Sequence, residues 1–467
     1  MRTLTESALD RAADHAREWI AGLGSRSVGA TVDIETLRAR LNVPLGDGGI
    51  DAVRVIDDLV AATEGGHLGC ASGRFFAWVM GGALPSALAA DWLTSAWDQN
   101  AVVYACAPAA AVVEEVAGAW LKEVLDLPRE ASFAFTTGCQ LAHFTCLAAA
   151  RHAVLQKAGW DLAVDGLFGA PAIRILTSEH RHSSIDRACR FLGFGAKHLV
   201  ALPTDESGRI EPAALEAAIA RDSGPAIVIL DAADLNIAAF DPFATLIPIA
   251  RSAGAWVHVD GAFGLFARAS RTKRHLVEGV EAADSWATDG HKWLNVPFDC
   301  GVAIVRDPQA HRAAMTVNAP YIAAHGAARD QIDWNPEWSR RGRGFAVYAA
   351  LRELGRHGLE DLVDRCCAHC HDLVTAIGSL PTAQTLWEPQ LNQGLVRFLD
   401  SRPGASEKDH DERTDAVIAA VNASGETFFS GTTWRGRRAM RVSVVNWRTT
   451  QEDIARTVQA VRTALAA

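Results

Sequence analysis

The spacing of apolar residues changes several times along this chain, and the changes divide it. Leu9, Ala12, Ala13, Ala16, Trp19 and Ile20 recur at helical spacing until Gly22, Leu23 and Gly24 interrupt them. Residues 1–65 therefore read as helices and connecting loops. A second helical pattern covers residues 110–126, with Val112, Val113, Val116, Trp120, Leu121 and Leu125 as its apolar positions. From about residue 130 to 305 short apolar runs at 173–177, 226–230, 255–259 and 302–305 read as strands. Helical stretches alternate with them, one over about 141–152 and one containing Ile247, Ile249 and Ala250. Such alternation predicts an α/β fold with a mainly parallel central sheet covered on both faces. A helix over about 345–354 then leads into a smaller C-terminal domain. There Arg441, Val442, Ser443, Val444, Val445 and Asn446 alternate as a strand. The expected division is a helical segment over 1–65, a large domain over 66–345 and a small α/β domain over 346–467.

Composition narrows the classes. Hydrophobic residues make up 49% and charged residues 21%, the balance of an ordinary globular protein. A net charge of −10 argues against a nucleic-acid binder, which would carry a basic footprint. The sequence offers no apolar run of membrane-spanning length, and the residues from Met1 to Glu6 lack the apolar core of a signal peptide. Nine scattered cysteines read as reduced thiols, so a cytoplasmic location with no membrane partner is expected. Cys366, Cys367, His369, Cys370 and His371 suggest a metal site, but no second pair stands at finger spacing and the side chains diverge around a helix; no metal is expected.

The chemistry centres on Lys292. It lies in a short turn between two strand-like runs, flanked by His291 and Trp293. Apolar surroundings favour a neutral amine, and a neutral amine can attack a carbonyl to form a Schiff base. Upstream, the apolar run 255–259 ends in Asp260, followed by Gly261 and Ala262. An acid at the C-terminal end of a buried strand sits where open α/β sheets bind ligands. A lysine Schiff base plus an acid for a pyridinium nitrogen is the pair that pyridoxal 5'-phosphate (PLP) requires. A strand-like run into Thr137, Gly138 and Cys139, then a helix start, makes a phosphate cradle from backbone N–H groups and the positive helix end. Arg340, Arg341 and Arg343 could bind an anion or hydrogen-bond carbonyls and carboxylates near such a site.

His258-Val259-Asp260-Gly261-Ala262, Asp289-Gly290-His291-Lys292-Trp293 and Asp299-Cys300-Gly301 resemble the PLP-dependent group II amino-acid decarboxylases, a family that includes aromatic L-amino-acid, glutamate and tryptophan decarboxylases. The resemblance runs from about Arg74 to about Asp453. It implies the aspartate-aminotransferase-like fold (fold type I), a homodimer in which the N-terminal arm packs on the partner, and a small-molecule amino-acid substrate. It implies that Lys292 carries PLP, Asp260 pairs with the pyridine nitrogen and His182, before Ser183 and Ser184, stacks on the ring. Gly138, Cys139, Asn236, Ala262, Asp289 and His291 complete the cofactor set. Trp78, Val79, Met80 and Tyr104 are implied as substrate neighbours, and Arg441 as the arginine for the substrate carboxylate, although a strand arginine can also be structural.

The expected reaction is α-decarboxylation of an L-amino acid, with an aromatic or bulky side chain favoured. None of the three tyrosines matches the loop tyrosine that reprotonates the product carbon in animal relatives. His325, in the small polar loop 323–330, could donate that proton instead, whereas the indole of Trp334 cannot supply a phenolic one. Without a donor the chain would act as an aldehyde synthase. Another PLP lyase reaction, or a non-catalytic binding subunit, are the remaining alternatives.

Overall fold

A computed structural model of the chain describes residues 4–316 and 328–466. It separates into two compact units. One comprises residues 81–371 and 389–394, the other residues 1–80, 372–388 and 395–467.

The larger unit is built on a seven-stranded sheet. Its strands are β1 (Ser132–Thr136), β2 (Arg174–Ser178), β3 (Leu199–Leu202), β4 (Ala226–Asp231), β5 (Trp256–Asp260), β6 (Ser285–Asp289) and β7 (Gly301–Val305). They lie in the order β1-β7-β6-β5-β4-β2-β3. The pairs among β6, β5, β4, β2 and β3 are parallel, whereas β7 runs antiparallel to both β1 and β6. Every residue of β4, β5 and β6 is buried. β4 accordingly reads as a nearly continuous apolar run, as a strand covered on both faces does. The fold is the expected mainly parallel α/β sheet. Only β3 escaped the sequence pattern, because it is an edge strand with half-buried positions.

The helix Gly138–Lys157 crosses the middle of the sheet, packing on β7, β6 and β5. It exceeds its expected span of 141–152 at both ends. Its alanines and its Cys146 and Leu147 meet Ala287, Ala303 and Ile227 in the core. The helix Pro108–Val124 behaves differently from its apolar pattern. It buries Ala110, Ala111, Glu114, Ala117, Gly118 and Leu121, while Val112 is exposed and Val116 and Trp120 are half-buried. Small residues allow close approach: a Cβ on Gly118 would collide with the Phe133 ring. Glu114 is tolerated there because Arg340, also fully buried, donates to it at 2.8 Å.

The smaller unit carries a four-stranded sheet of β8 (Ala383–Trp387), β9 (Gln393–Phe398), β10 (Ser430–Trp434) and β11 (Arg437–Ser443), in the order β10-β11-β9-β8. The helix Leu4–Gly22 lies in this unit and ends at the expected glycine. The long helix Gly344–Gly378 is broken at Gly355, whose φ of 59° is left-handed. The break falls one residue beyond the end expected at Leu354. No helix among the described residues is long and apolar enough to cross a membrane.

Candidate active site

Lys292 sits in the helical turn Gly290–Trp293 between β6 and β7. The turn is fixed from both sides. Gly290 N donates to Cys300 O at 3.0 Å, and Asn295 Nδ2 donates to Lys292 O at 3.2 Å. Gly81 lies against the same carbonyl, and a Cβ there would collide with it. The lysine side chain is 18% exposed; its Nζ is 3.2 Å from Asp289 Oδ2 and 5.5 Å from the centre of the Phe263 ring.

Asp289 ends β6 and is buried. Its Oδ1 accepts from Cys139 N at 2.7 Å, and its Oδ2 is 3.5 Å from His291 Nε2. One carboxylate thus ties the start of the helix Gly138–Lys157 to the lysine turn. Gly138 opens that helix at φ +75°, a backbone shape that suits glycine, and a Cβ on Gly301 would collide with its backbone. The His291 ring tilts against Phe298 with ring centres 4.4 Å apart, and its Nδ1 accepts from Cys300 N. Burial pushes the His291 pKa down, with Asp289 opposing, so the neutral imidazole is favoured.

Asp260 ends β5, two strand positions from His258 and four from Trp256, so all three share one face of the strand. Its Oδ1 accepts from Ala262 N at 3.1 Å and its Oδ2 is 3.4 Å from His143 Nε2. Burial pushes this carboxyl up, but His143, then His182, outweigh burial and hold it well below the usual carboxylate range. An acid kept ionised in a buried site is the partner a pyridinium requires. Together with the lysine one strand away, and the glycine-opened helix start, these residues fit PLP.

His182 caps the helix Ser183–Phe191. Its Nδ1 accepts from Ser184 N at 3.2 Å, and its ring is exposed. Gln140, in the first turn of Gly138–Lys157, donates to Ser184 O, which links the two helix starts. Asn236 follows β4 in a turn closed by Asp234, to which its N donates at 2.7 Å. Tyr104 is half-buried, and its N donates to Asp330 Oδ1 at 2.7 Å. The three arginines hold carbonyls and carboxylates. Arg340 binds Glu114, Ala101 O and Phe135 O, Arg341 binds Asp91, and Arg343 binds Asp299 and Glu337.

Trp78, Val79, Met80 and Arg441 belong to the smaller unit. Trp78 is exposed at φ 56° and tilts against Phe75 and Phe428; Val79 is buried at φ 58°. Met80 packs on the small core of Val28, Phe75 and Ala77. Arg441 is buried within β11. His325 lies outside the described residues.

Sequence reasoning passed over His143 and His258. Each is fully buried, and they meet at 3.0 Å between Nδ1 and Nε2. A signal existed: Trp256-Val257-His258-Val259-Asp260 alternates polar-capable and apolar positions inside a buried strand, and His143 stands one helical turn after Cys139. Cys139, His143 and Asp260 each bring a donor atom within 4.8 Å of the others. Three donors are fewer than a closed metal site needs, and the carboxylate among them is the one a pyridinium would take. In the helix Gly344–Gly378, His371 is exposed and turned away as expected, whereas His369 is buried along with Cys366, Cys367 and Cys370.

The fold and the lysine–aspartate pair define a PLP enzyme of fold type I. The matching family model is the pyridoxal-dependent decarboxylase conserved domain, over residues 54–398. The chain belongs to that family; its cofactor is PLP and it is a carboxy-lyase. It is 30% identical to an L-2,4-diaminobutyrate decarboxylase of Rhizobium meliloti (strain 1021), over 80% of this chain and 74% of the relative. It is 26% identical to an aromatic-L-amino-acid decarboxylase of Bacillus atrophaeus, over 97% and 93%. Among solved structures it resembles Oryza sativa TDC crystallised with PLP and tryptamine, with a TM-score of 0.92 at 23% identity, covering 99% of this chain and 97% of that one.

Proposed function

We propose that this enzyme removes the α-carboxylate of an L-amino acid with an aromatic or bulky apolar side chain, releasing the amine and carbon dioxide. The observation that carries the reading is Lys292 in the turn after β6, beside a β5 that ends in the buried, ionised Asp260. Bound PLP supplies the electron-withdrawing ring that makes loss of the carboxylate feasible.

The chain's own residues do the rest. Lys292 Nζ would hold the cofactor, Asp260 would keep a proton on its nitrogen, and His182, Asn236 and Ala262 would border its ring. Gly138 and Cys139 face the phosphate with the start of their helix. Cys139 N already donates to Asp289, so the other N–H groups of that turn carry the larger share. Asp289 receives the lysine Nζ when it is free and orients His291. The family resemblance supports Arg441 for the substrate carboxylate and Tyr104, Trp78, Val79 and Met80 for its side chain. His325 returns a proton to the product carbon.

Two observations favour an aromatic substrate. Trp78 presents an exposed ring beside Phe75 and Phe428, and the aromatic decarboxylase of Bacillus atrophaeus aligns over nearly the whole chain. We also propose a cytoplasmic homodimer, on the grounds of the nine free thiols and of exposed apolar side chains such as Val43 and Leu45.

The test is a panel of L-amino acids assayed for carbon dioxide, amine, aldehyde, ammonia and peroxide. Aromatic substrates should give amine and carbon dioxide in equal amounts. Turnover of 2,4-diaminobutyrate with none of the aromatics would replace the substrate class; aldehyde with peroxide would make the chain an aldehyde synthase. Lys292→Ala should abolish both turnover and borohydride-fixed cofactor. Cofactor fixed at a different lysine would refute the lysine assignment.

A further inference from the structure

Behind Asp260 runs a row of buried polar groups that the reaction as described does not use. Trp256 Nε1 donates to Ser285 Oγ at 2.9 Å. Ser285 Oγ is 2.9 Å from His258 Nδ1, His258 Nε2 is 3.0 Å from His143 Nδ1, and His143 Nε2 is 3.4 Å from Asp260 Oδ2. Ser285, His258 and His143 are fully buried. The row is set by secondary structure: Trp256, His258 and Asp260 share one face of β5, Ser285 is paired with His258 across to β6, and His143 descends from the helix packed on that face.

We propose that this row is a one-directional proton-ordering relay, in which His143 is the positioning residue that presents an N–H to Asp260 and so keeps that acid ionised for the cofactor nitrogen. The inference rests on the role of Asp260 given above.

The direction follows from the two ends. Indole N–H can only donate, and an ionised carboxylate can only accept. At the acid end a bare Nε2 on His143 would set its lone pair against Asp260, so Nε2 carries the proton. The neutral ring then accepts at Nδ1, which requires His258 to donate from Nε2. His258 in turn accepts at Nδ1, which requires the Ser285 hydroxyl to donate its single proton there. Ser285 Oγ keeps a lone pair for the Trp256 N–H. Each group donates once toward Asp260, and no proton is left over. His258 is suited to the neutral form this demands: burial pushes its pKa down to about 3. Cys139 Sγ, 3.4 Å from His143 Nε2, can share that proton as a weak sulfur acceptor; burial and then the Asp289 and Asp260 charges push the thiol's pKa far up. Aligned hydrogen bonds polarise one another, and a low-dielectric surrounding strengthens them.

Imidazole ¹⁵N shifts distinguish a protonated ring nitrogen from a bare one. In holoenzyme labelled at histidine, with His143→Gln and His258→Gln used to assign signals, both rings should be protonated at Nε2 and bare at Nδ1 at neutral pH. A proton on His143 Nδ1, alone or in a doubly protonated ring, would overturn the relay. Ser285→Ala breaks the relay between Trp256 and His258 without touching cofactor or substrate. His258 should lose its single tautomer, the ¹⁵N shift of the cofactor nitrogen should move toward the unprotonated value, and kcat should fall about 10- to 100-fold with KM little changed, the scale of losing an outer partner of a functional group. His143→Gln, which keeps a donor, should recover more of kcat than His143→Leu. Unmoved shifts and kcat in Ser285→Ala would also overturn the proposal. Asp260→Ala separates the two readings. If it leaves the cofactor nitrogen protonated, the assignment of Asp260 fails; if it deprotonates that nitrogen while the wild-type histidines carry protons on Nδ1, the relay alone fails.

Discussion

Single residues in this site are defined less by their own chemistry than by one neighbour each. Lys292 has Asp289 at 3.2 Å, Asp260 has His143 at 3.4 Å, and Cys139 N has Asp289 at 2.7 Å. The consequence for Asp260 is measurable. Asp260→Ala should still bind cofactor through Lys292 but lose turnover by about 100-fold or more, the range for removing one preorganised electrostatic partner. Near-normal turnover with cofactor bound would assign the role to another acid. The acid and the lysine were legible because each stands at a punctuation point, the end of an apolar run and a turn between two such runs. His143 and His258 were not, because a histidine within an apolar segment carries no sign of what it faces across the sheet.

Elements place those residues, and one histidine reports on how they are held. His311, on the helix Pro308–Met315, lies between Ser132 at the start of β1 and the carbonyl of Trp334. Trp334 O can only accept, so His311 Nε2 carries its proton. Burial, then the Arg329 charge, pushes the His311 pKa from 6.5 down to about 3. Between those values the unfolded chain binds the proton and the folded chain does not. Unfolding free energy therefore rises with pH: the contribution is complete above about 6.5 and is lost as acid is added, by about 1.4 kcal/mol per pH unit. Urea unfolding of wild type and His311→Gln between pH 4.5 and 7 should show wild type losing its advantage as pH falls. A pH-independent difference would mean that His311 takes up its proton without unfolding. The apolar pattern of Pro108–Val124 misled for a related reason. Periodicity reports which face is greasy, but this helix turns its small residues and Glu114 inward because Phe133 and Arg340 are there to meet them.

At the scale of the whole molecule, the first segment leaves much apolar surface in water. Val43 is 70% exposed and Leu45 is 100% exposed, with Leu41, Ile50 and Leu59 also exposed. Surface of that kind marks an interaction site, and the occupant proposed here is a second copy of the chain. Sedimentation velocity should give the mass of two chains. The double substitution Val43→Asp and Leu45→Asp should shift it toward one chain while leaving the fold's circular dichroism unchanged. A wild-type mass of one chain at micromolar concentration would remove the dimer.

By itself the sequence determined the alternation that makes a parallel sheet, the strand that ends in Asp260 and the turn that carries Lys292. These are local matters, decided by spacing, by small residues and by the length of apolar runs. Tertiary structure alone decided that β7 runs against its neighbours, that Asp289 ties Cys139 to Lys292, and that His143 from one helix meets His258 from one strand behind Asp260. The reason is physical. A buried polar group is defined by the partner that satisfies it, and that partner stands at a sequence distance no local pattern records.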